Sequence, residues 1–388
     1  MNFDLLYELE YLSFPEYILA LLAFFALCIF VQLYFYWFPF RRATAKNKPV
    51  AANRRPVSVV ICATNERSNL EKNLPRFLEQ DYPTFEVIVV NDCSTDDTEA
   101  LLHALKRKYS NLQISAIEPD KKFRHDRKLG MTIGIKAARF DSILFTEADC
   151  EPQNNRWLTT MQQAFTDKTE AAIGYCRSKP RAGGVDKIRR ADSLYLALFS
   201  LNAAKLGKPY RASIKNMGFS QGMFFRNKGF ANYHSYANSE ETIFLCRNAN
   251  AENTSVMLHP DSILVSTQRL TFGQWFLQRC QYASLLSMGK RGRKSINVEL
   301  LSRIFYYLSA ATLIAYATLF NSLIMLSGLT LFMLIRLISR VAVYRRAQVR
   351  LQERKLFWGL MAYDLYSPLL MLVIAIARPN LHKIKRIK

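Results

Sequence analysis

The stretch FEVIVVNDCSTDDT, residues 85–98, places an apolar run directly before the start of a helix. Its first eight residues are mostly apolar and β-branched, which is typical of a strand covered on both faces. The segment from Ser94 to Thr98 then reads as an N-cap followed by acids in the first helical turn. Asp92 comes before that cap and ends the strand, so we expect it at the edge of a sheet.

The same alternation of strand and helix extends from residue 56 to about 265. Further apolar strands are predicted at VSVVICA (57–63), LQISAI (112–117) and DSILFTEAD (141–149), each followed by a helical pattern. Alternation of this kind predicts an α/β domain with a mostly parallel sheet and helices on both faces. Ligands of such sheets bind beyond the carboxyl ends of the strands. Neither G-x-G-x-x-G nor a P-loop occurs, which argues against a dinucleotide or P-loop site.

Polar side chains follow several of these strands. The first strand is followed by Asn65 and Glu66, and the second ends at Asp92. Another strand runs into FTEADCEP (145–152), which places Glu147 and Asp149 at its end. An acid at one strand end is as readily a solvated turn residue as a functional one. Acids on neighbouring strand ends favour a shared site, and two of them could hold a divalent cation.

Lys128 begins a predicted helix close to the same edge of the sheet. It is either an ordinary surface lysine or a cation that faces a diphosphate.

An apolar segment precedes this domain. Residues 17–40 are 24 uncharged residues, enough helix to cross a ~30 Å hydrocarbon core. The charged side chains before the segment are all acidic, and basic residues follow it closely. The positive-inside rule therefore places residues 1–16 on the extracytoplasmic side and the domain at 56–265 in the cytoplasm.

Two further apolar segments follow the domain. Residues 304–339 include an uncharged run of 32 residues, too long for one straight span, so we predict a transmembrane hairpin. Residues 356–377 contain Asp364 and Pro368 and precede a basic tail, 378–388. A simple span would place that tail outside, so a re-entrant segment is favoured over a transmembrane one.

The net charge limits the classes of partner, and the cysteine spacing limits the kinds of site. The net charge is +22, and its basic residues border the apolar segments. This placement predicts contact with anionic membrane lipids and no nucleic-acid partner. The seven cysteines are scattered and never spaced C-x-x-C, so neither a zinc site nor a disulfide framework is indicated.

Four motifs in order carry a family resemblance: PVSVVICATNE (56–66), VIVVNDCSTDDT (87–98), DRKLGMTIGIKAA (126–138) and LFTEADCEP (144–152). Over roughly residues 56–282 the chain resembles the family 2 glycosyltransferases. The resemblance implies an inverting enzyme of the glycosyltransferase A-type fold. It further implies a multi-pass protein of the cell (inner) membrane with a cytoplasmic catalytic domain.

The resemblance also implies a donor site. Asp149 and Glu147 would hold Mg²⁺ or Mn²⁺ against the diphosphate of a nucleotide-sugar donor, with Glu147 standing where Asp is usual in the family. The residues implied to bind the nucleotide are Asn65, Glu66, Asp92 and Lys128.

Two later motifs are less regular. In YANSEETIFLC (236–246), Glu241 occupies the position of the general base, although acids after Ser239 would also suit a helix start. FGQWFLQRCQYASLL (272–286) is a degraded form of the acceptor motif Q-x-x-R-W. The residues implied to contact the acceptor are Trp275, Gln278, Arg279 and Tyr282. Residues 268–295 also read as an interfacial amphipathic helix, with Phe272, Trp275, Phe276 and Leu277 on the membrane.

These observations predict a metal-dependent glycosyltransferase that moves a sugar from a nucleotide-sugar donor to a lipid-linked or glycan acceptor. The erosion of the acceptor motif favours transfer of one or a few sugars over the alternative, a processive polysaccharide synthase. A second alternative is a catalytically silent, nucleotide-binding membrane scaffold, because Glu stands at 147 and 241 where Asp is usual.

Overall fold

A computed structural model describes residues 15–45, 54–118, 127–231, 240–286 and 290–384. Its strands are β1 (Val57–Ala63), β2 (Phe85–Asp92), β3 (Leu112–Ile117), β4 (Ser142–Glu147), β5 (Cys150–Pro152), β6 (Ala171–Ile173), β7 (Cys176–Ser178), β8 (Met217–Ser220), β9 (Thr254–Val256) and β10 (Leu264–Ser266). Seven strands form one sheet in the order β3-β2-β1-β4-β8-β6-β9, and β5, β10 and β7 form a small second sheet.

The helices lie before, between and after these strands. They are α1 (Glu16–Phe35), α2 (Arg67–Leu78), α3 (Thr98–Lys108), α4 (Arg127–Ala137), α5 (Trp157–Gln162), α6 (Gly184–Lys205), α7 (Gln221–Arg226), α8 (Glu240–Asn248), α9 (Phe272–Leu286), α10 (Lys290–Leu319), α11 (Leu323–Arg350) and α12 (Phe357–Ile384). The chain continues past α1 through a π-helical turn, Tyr36–Phe40, and a last helical turn, Arg41–Ala43.

The sheet is mostly parallel, as the sequence predicts. Strands β3, β2, β1 and β4 pair in parallel, and their apolar runs are buried because helices cover both faces. Helix α4 approaches β1 so closely that a Cβ at Gly134 would lie 2.5 Å from Cγ1 of Val60. The α/β prediction is therefore confirmed.

Strand β8 breaks the parallel pattern beside β4. It runs antiparallel, with Phe145 paired to Met217 and Ser142 to Ser220. The segment just before β8 therefore lies opposite the end of β4, where the carboxylates of FTEADCEP are found. This register positions the candidate site described below.

Four helices in the described part of the chain are long and apolar enough to cross a membrane: Glu16–Ala43, Lys294–Leu319, Leu323–Arg350 and Phe357–Ala377. A tight turn separates the second from the third, with Asn321 at a φ of 50° and the Ser322 hydroxyl accepting a hydrogen bond from the Met325 amide. The last is one continuous helix through Pro368. Much of the expected segments 1–16 and 378–388 lies outside the residues that the structure describes.

Asp364, which interrupts the last apolar segment, is buried among cations. Its carboxylate lies 3.2 Å from Arg303, 2.7 Å from Arg336 and 2.9 Å from Arg340. These arginines come from α10 and α11, so the charges bind three of the long helices to one another. A buried carboxylate is tolerated when it is paired in this way.

Buried polar contacts also fasten the α/β domain to the long helices. Arg190 of α6 lies 2.6 Å from Glu353, in the turn between α11 and α12, and the Tyr175 hydroxyl donates to the same carboxylate. Breaking a buried pair of this kind is costly, because one charge would stay buried without its partner. The sheet and the helices are therefore held in a defined relationship.

Candidate active site

The loops after β1 and β2 are tied together by Asn65. This residue has a φ of 55°, and its side-chain oxygen accepts hydrogen bonds from the Thr95 amide at 2.7 Å and the Asp96 amide at 3.3 Å. Its own amide donates to the Ser94 hydroxyl. Asn65 therefore fixes the edge of the sheet where the predicted nucleotide-binding residues lie.

A cavity of about 460 Å³ opens at that edge. Glu66 lies on its wall, where one carboxylate oxygen accepts a hydrogen bond from the Asn69 amide nitrogen at 2.6 Å. The residues that line the cavity come from the ends of β1 and β4, the start of α4 and the segment after β10: Cys62, Glu66, Asn69, Arg127, Glu147, Ala148, Asp149, Thr267, Gln268 and Arg269. It therefore brings together Glu66, Glu147 and Asp149, three of the predicted site residues.

Glu147 and Asp149 converge on one point, and Lys215 occupies it. The Lys215 ammonium lies 3.0 Å from Oε2 of Glu147 and 2.6 Å from Oδ2 of Asp149. Arg127 contacts the other oxygen of Glu147, and Ser266 donates a hydrogen bond to Asp149. Neither Lys215 nor Arg127 was predicted from the sequence.

Two features place Lys215 at this point: the register between β4 and β8, and the buried, hydrogen-bonded side chain of Asn216 beside it. Continued beyond Phe145 and Met217, the antiparallel register places residue 215 opposite Glu147. The neighbouring Asn216 is fully buried and donates hydrogen bonds to the carbonyl oxygens of Tyr175 and Ser262 at 2.9 and 2.7 Å. The sequence signal was a lysine two residues before a short strand, which becomes informative only once that strand is known to pair with β4.

Asp149 and Lys215 stabilise each other's charged form. Burial works to raise the pKa of Asp149, but the Lys215 ammonium and the hydrogen bonds to the carboxylate hold that pKa below its ordinary value. Burial works to lower the pKa of Lys215, but the negative groups around it, Asp149 among them, raise that pKa. Both groups are therefore charged at neutral pH.

The acid pair has the chemistry of a divalent-cation site. Carboxylate oxygens are the hard ligands that Mg²⁺ and Mn²⁺ prefer, and Mg²⁺ is commonly held by one or two carboxylates together with substrate phosphates. Within the described ranges, no third His, Cys, Asp or Glu joins the two acids. The donor set of Glu147 and Asp149 thus fits a divalent cation that substrate phosphates also bind.

The thiol of Cys62 is close enough to Arg127, Glu241 and Asp92 for their charges to affect its pKa. Cys62 pairs with Glu147 in the β1–β4 register. Burial raises the pKa of its thiol to about 12, Arg127 opposes that rise, and the carboxylates of Glu241 and Asp92 add to it. Glu241 and Asp92 therefore lie within electrostatic reach of the same strand end as the acid pair.

Glu241 lies in the first turn of α8 and is 3 % exposed. The next residue, Thr242, fixes that turn by donating a hydrogen bond to the Ala212 carbonyl oxygen at 3.0 Å. Residues 236–239 of its motif lie outside the described ranges. The role of Glu241 as general base stays a prediction.

Helix α4 presents Arg127 to the cavity. Lys128, the predicted cation, is half-buried in the same first turn, and its carbonyl oxygen accepts a hydrogen bond from the Thr132 hydroxyl. The predicted helix start at the cleft is present, but the contact to Glu147 comes from the neighbouring arginine.

A second cavity, of about 160 Å³, contains all four residues predicted to contact the acceptor: Trp275, Gln278, Arg279 and Tyr282. Arg279 is buried against Asp192, with Nε 2.9 Å from Oδ2, so its charge is already paired. Arg211, which was not predicted, lies over the Tyr282 ring at 4.8 Å from the centroid.

The two cavities share one wall. Gln268 lines both, while Lys215 and Ser266 line the second cavity and contact the acid pair of the first. Residues predicted for a donor and residues predicted for an acceptor are therefore separated by the Lys215 side chain.

Residues 58–232, a little under half of the chain, match the family described as Glycosyl transferase family 2. The α/β domain belongs to this family.

Three known proteins are similar to the chain. Glycosyltransferase AglE of Haloferax volcanii is 32 % identical over 104 residues, which are 26 % of this chain and 33 % of AglE. This chain thus spans only about a third of that relative. The mannosyltransferase PcManGT from Pyrobaculum calidifontis, solved in complex with GDP-Man and Mn²⁺, covers 90 % of this chain and 99 % of its own at 17 % identity and a TM-score of 0.53. S. aureus TarS covers 66 % of this chain and 80 % of its own at 14 % identity and a TM-score of 0.40.

The likeness to PcManGT shows the fold, a glycosyltransferase A-type α/β domain accompanied by long helices. The predicted fold class is confirmed by this likeness and by the family match.

Proposed function

We propose that this chain is a membrane-bound, inverting and metal-dependent glycosyltransferase. It moves a sugar from a nucleotide-sugar donor to a lipid-linked or glycan acceptor. One observation carries the proposal: Gln268 lines both the cavity with the acid pair and the cavity with the degraded acceptor motif, and Lys215 of the second cavity contacts the acid pair of the first.

The donor is assigned to the cavity at the carboxyl edge of the sheet. Its diphosphate would lie at Arg127 and the acid pair, and its nucleoside toward Glu66 and Asp92. Arg127 and Arg269 line that cavity and supply positive charge for an anionic ligand. PcManGT was solved with GDP-Man and Mn²⁺, which supports a nucleotide-sugar donor of this kind.

Mg²⁺ or Mn²⁺ would be held by Asp149 and Glu147. When bound, such a cation neutralises charge that develops on the leaving diphosphate. On the acceptor side, Glu241 takes the proton of the attacking hydroxyl, the role that inversion requires of a base. Glu241 is 3 % exposed, and this role requires that the acceptor hydroxyl reach its carboxylate.

A lipid-linked acceptor is supported by a third cavity. It lies between α9, α10 and α12, its volume is about 340 Å³, and its walls are mainly apolar, including Ile296, Leu300 and Met371. Arg279 lines this apolar cavity and also the polar acceptor cavity. An acceptor with an apolar chain and a polar head suits this junction, because each part meets a surface of its own polarity.

The membrane arrangement that we propose is supported by the long helices, of which the last is taken as re-entrant, and by the charges beside them. We place the protein in the cell (inner) membrane as a multi-pass protein. The catalytic domain is cytoplasmic, the tail 378–388 is on the same side, and the basic flanks contact anionic lipids.

A screen of nucleotide sugars tests the proposal. The detergent-purified full chain is incubated with each donor, with Mn²⁺ or with a chelator, and with or without membrane lipid extract, and released nucleoside diphosphate is measured. We expect one donor to be consumed faster with Mn²⁺ and with lipid extract, and Asp149→Asn to abolish this consumption. Tight nucleotide binding without turnover would instead identify a silent scaffold, and long polymer made from donor alone would identify a processive synthase.

A further inference from the structure

The Lys215 ammonium occupies the position of a bound cation. It is surrounded by four oxygen atoms: Oδ2 of Asp149 at 2.6 Å, Oγ of Ser266 at 2.9 Å, Oε2 of Glu147 at 3.0 Å and Oε1 of Gln268 at 3.3 Å. These are hydrogen-bond distances, longer than the ~2.0–2.1 Å at which oxygen atoms bind Mg²⁺. A divalent cation and this ammonium therefore cannot share the two carboxylates in this arrangement.

The backbone of Lys215 is fixed, while its side chain can move. Asn216 is fully buried and hydrogen-bonded, and the Lys215 carbonyl oxygen accepts a hydrogen bond from the Thr146 hydroxyl at 3.1 Å. Lysine carries its charge on a flexible four-carbon stem. Lys215 also lines the cavity that contains the acceptor motif, so there is space into which the ammonium can swing.

The local charges favour exchange only when a donor is present. Glu147 and Asp149 carry two negative charges, and Lys215 and Arg127 balance them. A divalent cation alone would leave the cluster with two extra positive charges. A divalent cation bound to a diphosphate brings its own balancing negative charge, and the phosphate oxygens give the displaced ammonium a new partner.

We propose that Lys215 is a positioning residue that holds the acid pair in the donor-free enzyme and is displaced when the donor arrives with its metal. This inference rests on the proposed donor site and deepens it. Its consequence is that the enzyme binds the divalent cation tightly only together with a nucleoside diphosphate. Glu147 and Asp149 then stay together without a metal, although like charges this close repel each other.

Measuring the affinity for Mn²⁺ tests this proposal directly, because the measurement needs no transfer reaction. Full-length protein in detergent is titrated with Mn²⁺, and bound Mn²⁺ is followed by electron paramagnetic resonance with and without GDP or UDP, against nucleotide blanks. We expect wild-type protein to bind Mn²⁺ at least tenfold more tightly with one of these nucleotides. Without nucleotide, Lys215→Gln should bind Mn²⁺ at least tenfold more tightly than wild type, while Lys215→Arg, which keeps the charge, should resemble wild type.

Lys179→Gln is the matched control. Lys179 is another lysine beside an acid of the same stretch, with its ammonium 3.5 Å from the Glu151 carboxylate. Its removal should leave Mn²⁺ affinity within about twofold of wild type, and an equal gain in this variant would refute a specific role for Lys215.

Equal Mn²⁺ affinity of wild type and Lys215→Gln without nucleotide would overturn the inference. If Lys215→Gln does not fold, the titration of wild-type protein still tests the inference. Tight Mn²⁺ binding by wild type without any nucleotide would overturn the inference as well. Transfer activity is scored separately. A protein that transfers sugar but shows no effect of Lys215 refutes only this inference, whereas a Lys215 effect without transfer refutes only the proposed function.

Discussion

Asp192 and Arg279 form a buried ion pair that joins α6 to α9, with 2.9 Å between Oδ2 and Nε. The two side chains are 1 % and 4 % exposed, and the Tyr363 hydroxyl of α12 donates a hydrogen bond to the other oxygen of Asp192. Arg279 also lines both the acceptor cavity and the apolar cavity beside it. The degraded acceptor motif therefore has a structural task, because it fastens the α/β domain to the long helices.

Removing one partner of this pair should destabilise the protein strongly. Asp192→Asn leaves the Arg279 charge buried and unpaired, which typically costs about 3–5 kcal/mol of the free energy of unfolding. The double variant Asp192→Asn/Arg279→Met should regain most of that loss, since no lone charge remains. Denaturation of the detergent-solubilised protein measures both effects.

Asp167→Asn is the control for this experiment. Asp167 pairs with Arg55 at the surface, and its side chain is 92 % exposed. Pairs of this kind contribute about 0–1 kcal/mol, so little change is expected. Equal losses for Asp167→Asn and Asp192→Asn would contradict the fastening role of the buried pair.

Asp149 and Glu151 provide a second matched comparison within one short stretch. Asp149→Asn should abolish the metal-dependent release of nucleoside diphosphate, because the divalent cation loses a charged ligand. Glu151→Gln should keep most of that activity, since Glu151 instead pairs with Arg76 at 3.1 Å and Lys179 at 3.5 Å. Metal titrations of activity compare the two, and normal metal dependence in Asp149→Asn would show that Asp149 is not a ligand of the metal.

The sequence predicted the sheet well because its signal is local. Runs such as VSVVICA and FEVIVVND contain enough β-branched residues in sequence to identify buried parallel strands. The same locality explains why Lys215 was missed. Its contact with Glu147 depends on antiparallel pairing between segments about 70 residues apart, and no pattern around residue 215 reports that pairing.

Two smaller differences have a similar cause. Arg127 and Lys128 are adjacent cations, and the rotation of α4 on the sheet decides which of them contacts Glu147. Trp275 was also assigned to the membrane-facing surface of an amphipathic helix, yet it is 3 % exposed and lines the acceptor cavity. Phe272 and Leu277 of the same helix are exposed. Periodicity gives the spacing of the apolar residues, but tertiary packing decides which of them are covered.

The membrane arrangement can be tested by cysteine labelling in a variant without the seven native cysteines. A cysteine in the first ten residues should react with a membrane-impermeant reagent from outside, and one placed after Asn380 should not. Both positions follow from the charges that flank the apolar segments. Labelling of the tail from outside would show that residues 356–377 cross the membrane completely, contrary to the re-entrant interpretation.

The catalytic role of Glu241 gives the last prediction. An inverting transfer needs a carboxylate on the acceptor side that takes the proton of the attacking hydroxyl. Glu241→Gln keeps the size and hydrogen-bonding capacity of the side chain but removes its basicity. Transfer should therefore fall about 10²–10⁴-fold, the usual contribution of a general base, while the affinity for nucleoside diphosphate stays almost unchanged. Initial rates with saturating donor, together with nucleotide titrations, separate the two quantities.

Glu240→Gln distinguishes this role from helix capping. Both residues belong to the first turn of α8, where an acid contributes only a few tenths of a kcal/mol to stability through the helix dipole. If both acids only stabilise the helix start, the two glutamine variants lose equally little stability and keep their transfer rates. If Glu241 is the base, its variant alone loses the transfer rate, because Glu241 is buried within electrostatic reach of Cys62 at the donor end of the cleft. Equal and mild effects at the two positions would remove Glu241 from the catalytic assignment.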